Sequence, residues 1–324
     1  MDVFHHTNIN KPLPENLKGG VVAIGNFDGI HRGHCSVLEN ALKIANGSPT
    51  IVLTFEPHPR TILKAATPIF PIIPESIKIK VLENMGFSAL IGYKFDLNVA
   101  NYSAEKFIQK VLVEWLQTKT VVTGARFCFG KNRAGNGALL KKRGIQYGFN
   151  TVLVDEIQDN ASEIISSTRI RTALKNGLVN EAAHLLGYHF TVESKVVCGE
   201  KLGRKLGYPT ANMKLMPTIS LKEGVYTVRF RTQKKISYCG VANFGRSPTI
   251  NQNGSLFLES FIFDFSQEIY GQICTVSFFD FLRSEIKFQD IRTLIEYIQK
   301  DERKARALLS NSPPLSRIDR LICF

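Results

Sequence analysis

The segment Gly25-Asn26-Phe27-Asp28-Gly29-Ile30-His31-Arg32-Gly33-His34 follows a short apolar run, Val21–Ile24, and leads into residues with helical apolar spacing. A helix start exposes unpaired N–H groups at the positive end of the peptide dipole, which makes it a place for an anion. Gly25 and Gly29 permit a tight turn, and Gly33 leaves room for close approach of a phosphate. His31 and His34 stand three residues apart, so both imidazoles can face one ligand across a helical turn. Two imidazole N–H donors beside bare amides suit charge that develops on a transferring phosphoryl group. Zinc is another use for two histidines, but the sequence offers no clear third ligand. Neither GxxxxGK(S/T) nor GxGxxG occurs, so the segment is neither a P-loop nor a dinucleotide-oxidoreductase fingerprint.

Two further segments have residue types suited to phosphate. In Ser166-Ser167-Thr168-Arg169-Ile170-Arg171 the hydroxyls at a helix start cap amides or touch phosphate, and the arginines offer forked donors. A plain N-cap followed by solvated arginines is the simpler alternative. Between Gly199 and Asn212, Gly199, Gly203 and Gly207 are interspersed with Lys201, Arg204 and Lys205 and followed by Pro209, Thr210 and Asn212. Such a loop can wrap phosphates with its amides, with a threonine hydroxyl and an asparagine amide close by. Read alone, it is equally a Gly- and Lys-rich surface turn.

The elements that must hold these residues change character near residue 185. Before it, strand-like and helix-like runs alternate. Val21–Ile24, Thr50–Phe55, Phe87–Ile91 and Thr120–Thr123 read as strands; His34–Ala45, Ile77–Met85 and Ala104 to about Leu116 read as helices, with Gly86 as a C-cap and Ser103 as an N-cap. Alternation of this kind predicts a parallel sheet covered on both faces. From Thr191 onward β segments dominate: Thr191–Val197, Gly224–Phe230, Ile236–Val241, Leu256–Phe263 and Ile273–Phe279, with Asn253-Gly254 as a hairpin turn. A closed or nearly closed antiparallel barrel would hide their edges. A helix is expected from about Asp290 to Leu309, with the stripe Ile291, Leu294, Ile295, Ile298, Ala305 and Leu308, and Pro313-Pro314 should end regular structure.

A length of 324 residues suits two domains, read as 1–185 and 186–324. The absence of a long apolar run argues against a transmembrane helix, and the first residues carry no basic-then-apolar leader, so a cytoplasmic protein with no membrane partner is expected. The six cysteines are spread without a CxxC pair, as free thiols in a reducing compartment would be. The net charge of +13 admits nucleic-acid binding or steering of small polyanions. Its basic residues are scattered, Lys141-Lys142-Arg143 being the tightest cluster, which favours small anions over stable nucleic-acid binding.

Gly25–His34 resembles the GxFDGxHxGH signature of the nucleotidylyltransferase superfamily, and its wider context resembles the bifunctional riboflavin kinase/FMN adenylyltransferases. Thr54-Phe55-Glu56-Pro57-His58-Pro59-Arg60, Gly124-Ala125-Arg126-Phe127-Cys128-Phe129-Gly130-Lys131 and Ile165–Arg171 extend the likeness through the first half in the family's order. In the second half, GxxxGRxLGxPTAN over Gly199–Asn212, the stretch Val241–Thr249, Glu259 with Phe263-Asp264-Phe265, Tyr270-Gly271 and Leu282–Phe288 resemble riboflavin kinase. The resemblance implies a Rossmann-like parallel-sheet nucleotidylyltransferase domain followed by an antiparallel β-barrel with a terminal helix. It implies ATP and flavin as partners, Mg²⁺ with the ATP, and a monomer or weak homo-oligomer. His31, His34 and Arg169 are then the catalytic residues of adenylyl transfer, and Gly25, Asn26, Phe27, Asp28, Gly33, Ser166, Ser167, Thr168 and Arg171 hold the nucleotide. Glu259 corresponds to the general base of the kinase. Thr210 and Asn212 support Mg-ATP, with Gly199, Lys201, Gly203, Arg204, Gly207 and Pro209 around it.

The chain departs from the family pattern at Ala125 and Asn136, where acidic residues are usual, and at Cys198, where histidine is common. A nucleotidylyltransferase of another acceptor would keep His31 and His34 but has no use for Thr210, Asn212 and Glu259 together. An RNA-binding or scaffolding protein would exploit the charge but not the phosphate residues of both halves.

Overall fold

A computed structural model describes residues 1–63, 69–199, 203, 206–246 and 255–324. Two compact units emerge, Met1–Ile69 with Glu75–Ile165 and Phe70–Pro74 with Ser166–Phe324.

In the first unit the strands are β1 (Asp2–Thr7), β2 (Val21–Ile24), β3 (Thr50–Glu56), β4 (Ala89–Lys94), β5 (Thr120–Gly124) and β6 (Asn150–Val154). They form one six-stranded sheet in the order β1-β4-β3-β2-β5-β6, and every pair is parallel. All four residues of β2 are buried, as expected for a strand covered on both faces. The helices are α1 (Arg32–Ala45), α2 (Pro59–Leu63), α3 (Glu75–Met85), α4 (Leu97–Ala100), α5 (Ala104–Phe107) and α6 (Gly137–Tyr147). Beyond α5, residues Ile108–Trp115 continue in wide turns, closed by Leu116 N donating to Val111 O at 3.0 Å. Ser103 caps this stretch as the sequence predicts, its Oγ accepting from Lys106 N at 3.1 Å. After β2 the chain builds β3 and β4 on one side, then returns to place β5 on the other. A reversal of strand order opens a crevice at the carboxyl ends of the strands. Gly25–His34 leaves the sheet at that end of β2, and the stretch from Gly124 leaves it at that end of β5.

The second unit begins with α7 (Ser167–Lys175) and α8 (Val179–Leu186). Its strands are β7 (Thr191–Val197), β8 (Thr210–Lys214), β9 (Gly224–Arg231), β10 (Ser237–Arg246), β11 (Leu256–Ile262) and β12 (Ile273–Arg283). They close into an antiparallel barrel in the order β10-β11-β8-β7-β12-β9. On β11, Leu256, Leu258, Ser260 and Ile262 are buried, while Phe257, Glu259 and Phe261 take the more open face. The Asn253-Gly254 turn lies outside the described residues.

Two helices follow the barrel, α9 (Ile291–Ser310) and α10 (Arg317–Cys323). Asp290 caps α9, its Oδ1 accepting from Thr293 N at 2.9 Å. The stripe expected on α9 is only partly right: Asp301, Ala305 and Leu309 are its buried residues, whereas Ile291 is exposed. Asp301 is held inside by Arg283, at 2.9 Å. Pro313-Pro314 does not end regular structure, because α10 follows, capped by Ser316. Buried Asp319 fastens α10 to the barrel. It accepts from His189 N at 2.9 Å, from His189 Nδ1 at 3.0 Å and from Cys323 Sγ at 3.1 Å. Burial pushes its carboxyl upward, and the hydrogen bonds and charge of His189 outweigh that, leaving it below the usual carboxylate range. All six cysteines are free, with Cys323 gathered into this cluster.

Candidate active sites

The turn that carries the first site gets its shape from three left-handed backbone positions within four residues. Phe27, Gly29 and Ile30 take positive φ values of 44°, 89° and 37°. Gly25 does not share them. A Cβ there would lie 3.1 Å from the buried Phe27 ring, so glycine at this position lets the ring pack closely and does not serve the turn. Asn26 is fixed through its carbonyl, which accepts from Thr54 Oγ1 at 3.0 Å. Asp28 is buried beside the histidines, and its charge acts on His31.

His31 and His34 come together as a stacked pair, with ring centroids 3.6 Å apart and planes inclined by 19°. His31 is the N-cap of α1, and its Nδ1 accepts from His34 N at 3.3 Å. One of the amides expected to be bare is therefore used, while the Arg32 and Gly33 amides occupy two of the four positions that a helix start leaves without intrahelical partners. Acceptance at Nδ1 places the proton of a neutral His31 on Nε2. Gly33 makes room for this arrangement, since a Cβ would sit 3.3 Å from the His31 ring.

Burial holds both imidazoles neutral. It lowers His34 to about 3, with Lys78 adding to the effect. It lowers His31 too, with His34 adding and Asp28 opposing. His34 Nδ1 is buried without a hydrogen-bond partner among the described residues. The pair can thus donate N–H groups without bringing net charge.

Ser166 caps α7, its Oγ accepting from Arg169 N at 3.3 Å, so the simpler capping role is realised. Ser167 and Thr168 are the next two residues of that helix. Arg169 approaches Glu181 at 3.9 Å and, with Thr168, lines a small open cavity of about 220 Å³. Arg171 donates through Nη2 to Phe70 O at 2.7 Å, an anchoring contact that residue spacing alone does not reveal.

On the barrel, the strand β8 supplies Thr210 and Asn212, directly after the glycine-rich stretch. Asn212 Nδ2 lies 3.4 Å from both Thr210 O and Thr210 Oγ1. Gly199 packs against that amide, where a Cβ would meet Asn212 Nδ2 at 2.5 Å. In register, Asn212 on β8 faces Glu259 on β11, and Glu259 faces Asn243 on β10. Cross-strand partners share a face of the sheet, so the three form one polar row.

Two cavities border this row. One of about 480 Å³ is lined by Gly199, Pro209, Thr210 and Asn212. The other, of about 800 Å³, is lined by Gly203, Thr210, Asn243 and Glu259 with apolar residues such as Phe257 and Phe288. Thr210 belongs to both. Gly207 turns the chain ahead of β8 with φ 85°. Lys201 and Arg204 lie outside the described residues. Sequence reasoning missed Asn243 as an individual site residue, although its two-residue alternation with Gly245 on a strand could have pointed to the same face.

Asn136 caps α6 by accepting from Leu139 N at 3.0 Å, a task its amide oxygen performs without the usual carboxylate. Ala125 is exposed at the end of β5, and Cys198 is exposed after β7.

The family model for FAD synthetase matches residues 13–169 and that for riboflavin kinase matches residues 186–309. A bifunctional riboflavin kinase/FMN adenylyltransferase of Haemophilus influenzae is 38% identical over 91% of this chain and 96% of its own. Its namesakes in Listeria monocytogenes and Escherichia coli are 35% and 32% identical, covering 94% and 92% of this chain and 94% and 95% of theirs. A crystal structure described as a macrolide-efflux protein from Streptococcus pneumoniae superposes with a TM-score of 0.83 at 30% identity, over 94% of this chain and 99% of that one. That description concerns the other protein; among the described residues here no helix is long and apolar enough to cross a membrane. With relatives this similar over nearly their whole length, the chain belongs to the family of bifunctional riboflavin kinase/FMN adenylyltransferases.

Proposed function

We propose that the chain makes FAD from riboflavin in two ATP-dependent steps, phosphorylation to FMN in residues 186–324 and adenylylation of FMN in residues 1–185. What carries the kinase assignment is the place of Glu259, one strand from Asn212, in a cavity that shares Thr210 with its neighbour. The smaller cavity takes ATP against Gly199, Pro209, Thr210 and Asn212. The larger takes the flavin, its apolar wall against the ring system. Glu259 accepts the proton of the terminal riboflavin hydroxyl as that oxygen attacks the γ-phosphorus, and ADP leaves.

Mg²⁺ fits the donors at hand. Thr210 and Asn212 offer neutral oxygens, which suits an ion that keeps most of its positions for phosphate and water. Bound there, it would neutralise charge on the ATP phosphates.

In the first half, a phosphate oxygen of FMN attacks the α-phosphorus of ATP and pyrophosphate leaves. His31 and His34, as neutral donors beside the α1 amides, stabilise the charge that grows at the phosphorus. Gly25, Asn26, Phe27, Asp28 and Gly33 shape that turn. Ser166, Ser167, Thr168, Arg169 and Arg171 are assigned to the nucleotide phosphates, with Arg169 at the reacting end. A cytoplasmic setting without membrane or stable nucleic-acid partner, and a monomer or weak homo-oligomer, complete the reading.

Incubation of the purified protein with riboflavin, ATP and Mg²⁺, followed by separation of FMN and FAD, tests both steps at once. Both products should appear in that order. Consumption of riboflavin without FMN, or no ATP use at all, would contradict the assignment.

A further inference from the structure

Asn243 has no role in the two steps above, yet it lines the larger cavity beside Glu259. Its Nδ2 donates to Glu285 Oε1 at 2.9 Å. A carboxylate only accepts, so this bond decides which end of the amide is which. The other end, Oδ1, is buried and has no hydrogen-bond partner among the described residues. Buried acceptors rarely stay unpaired. Glu285 in turn packs against Gly245, where a Cβ would press on its carboxylate and displace it.

We propose that Asn243 reads the hydroxylated chain of the acceptor, its Oδ1 accepting a hydrogen bond from a secondary hydroxyl of the ribityl group. Glu285 is the positioning residue: it engages Nδ2 and so leaves the carbonyl oxygen for the ligand. The inference rests on the riboflavin kinase reading. Distance along the substrate selects the group that Asn243 meets, because Asn243 is the cross-strand neighbour of the base that acts on the terminal hydroxyl. Cβ atoms of such neighbours stand about 5 Å apart, so the group that meets Asn243 lies within a few bonds of the reacting oxygen. That group is a chain hydroxyl and not a polar edge of the ring. The apolar wall formed by residues such as Phe257, Phe261 and Phe288 suits the ring instead.

The test compares riboflavin with a flavin whose side chain keeps only the terminal hydroxyl. Asn243→Ala should lower kcat/KM for riboflavin about tenfold, equivalent to about 1.4 kcal/mol, chiefly through KM. The deoxygenated analogue should be nearly unaffected, so the preference of the wild-type protein for riboflavin collapses. Asn243→Ser, which retains an acceptor, should recover part of it, while KM for ATP and the rate of FMN adenylylation stay at wild-type values and report an intact fold. Equal loss with both flavins, or an unchanged preference, would overturn the proposal. If the wild-type protein phosphorylates neither flavin, the kinase reading itself fails.

Discussion

Glu259 and Asn212 are cross-strand partners on β11 and β8, and Thr210, two residues before Asn212, lines both of the cavities that these two residues border. The proposed base and the amide assigned to the nucleotide are thereby mounted on hydrogen-bonded strands rather than on loops. Rigid mounting fixes the distance between groups that must act together. The other constellation, His31 over His34, is mounted differently, on the first turn of a helix whose cap is one of its own candidate residues.

His34→Ala removes a neutral donor and the stacking partner of His31. Loss of a donor aimed at developing charge costs about 10²–10³ in rate. FAD formation from FMN should fall by that order while riboflavin phosphorylation is retained. Trp115, the single tryptophan, is buried in the core of the first unit with Nε1 donating to Lys11 O at 2.8 Å, so its fluorescence reports whether the fold survives. Near-normal adenylylation in a folded variant would refute the role.

Neutral buried histidines also make the first unit acid-sensitive. The unfolded chain protonates them near 6.5, whereas the folded chain holds His34 down to about 3 and His31 below its usual value. Their contribution is complete above pH 6.5 and is lost as pH falls toward the folded values. Between pH 6.5 and 5 a single such group lowers stability by about 1–2 kcal/mol. Urea unfolding followed at Trp115 should show a decline over this interval that is shallower in His34→Gln. Identical pH profiles for the two proteins would count against the neutral, buried state.

Gly199→Ala places a Cβ against the Asn212 amide. The amide must move, because the backbone of β7 and β8 is paired just there, with Val197 opposite Asn212. Kinase activity should drop about tenfold or more through KM for ATP, by analogy with the loss of a single polar contact, and adenylylation should be untouched. Steady-state kinetics of both half-reactions decide it; an unchanged KM for ATP would show that Asn212 does not serve the nucleotide.

Much of the fold is legible in the sequence. Strong periodicity marked β2, β3, α1 and β7 because their apolar residues answer directly to a core. β1 escaped, since Asp2, His5 and His6 make it polar, and it is a strand only through its pairing with β4. β8 escaped because Thr210-Ala211-Asn212 reads as the end of a glycine loop, and only the barrel gives it partners on both sides. α10 was hidden behind Pro313-Pro314, and Asp319, a charge on a short terminal helix, shows its purpose only when His189 lies against it. At the first site, residue types announced an anion site, but not that His31 would spend Nδ1 on capping or that Gly25 and Gly33 would serve aromatic packing. Those are tertiary facts, set by rings that meet across the turn.

Glu259→Gln keeps the shape of the side chain and removes its ability to take a proton. Rates of riboflavin phosphorylation and FMN adenylylation should be measured on that one variant against the wild-type protein. Phosphorylation should fall by about 10²-fold or more, as for loss of a general base, with adenylylation of supplied FMN at the wild-type rate. Equal loss of both reactions, or undiminished phosphorylation, would contradict the division of the chemistry between two independent sites.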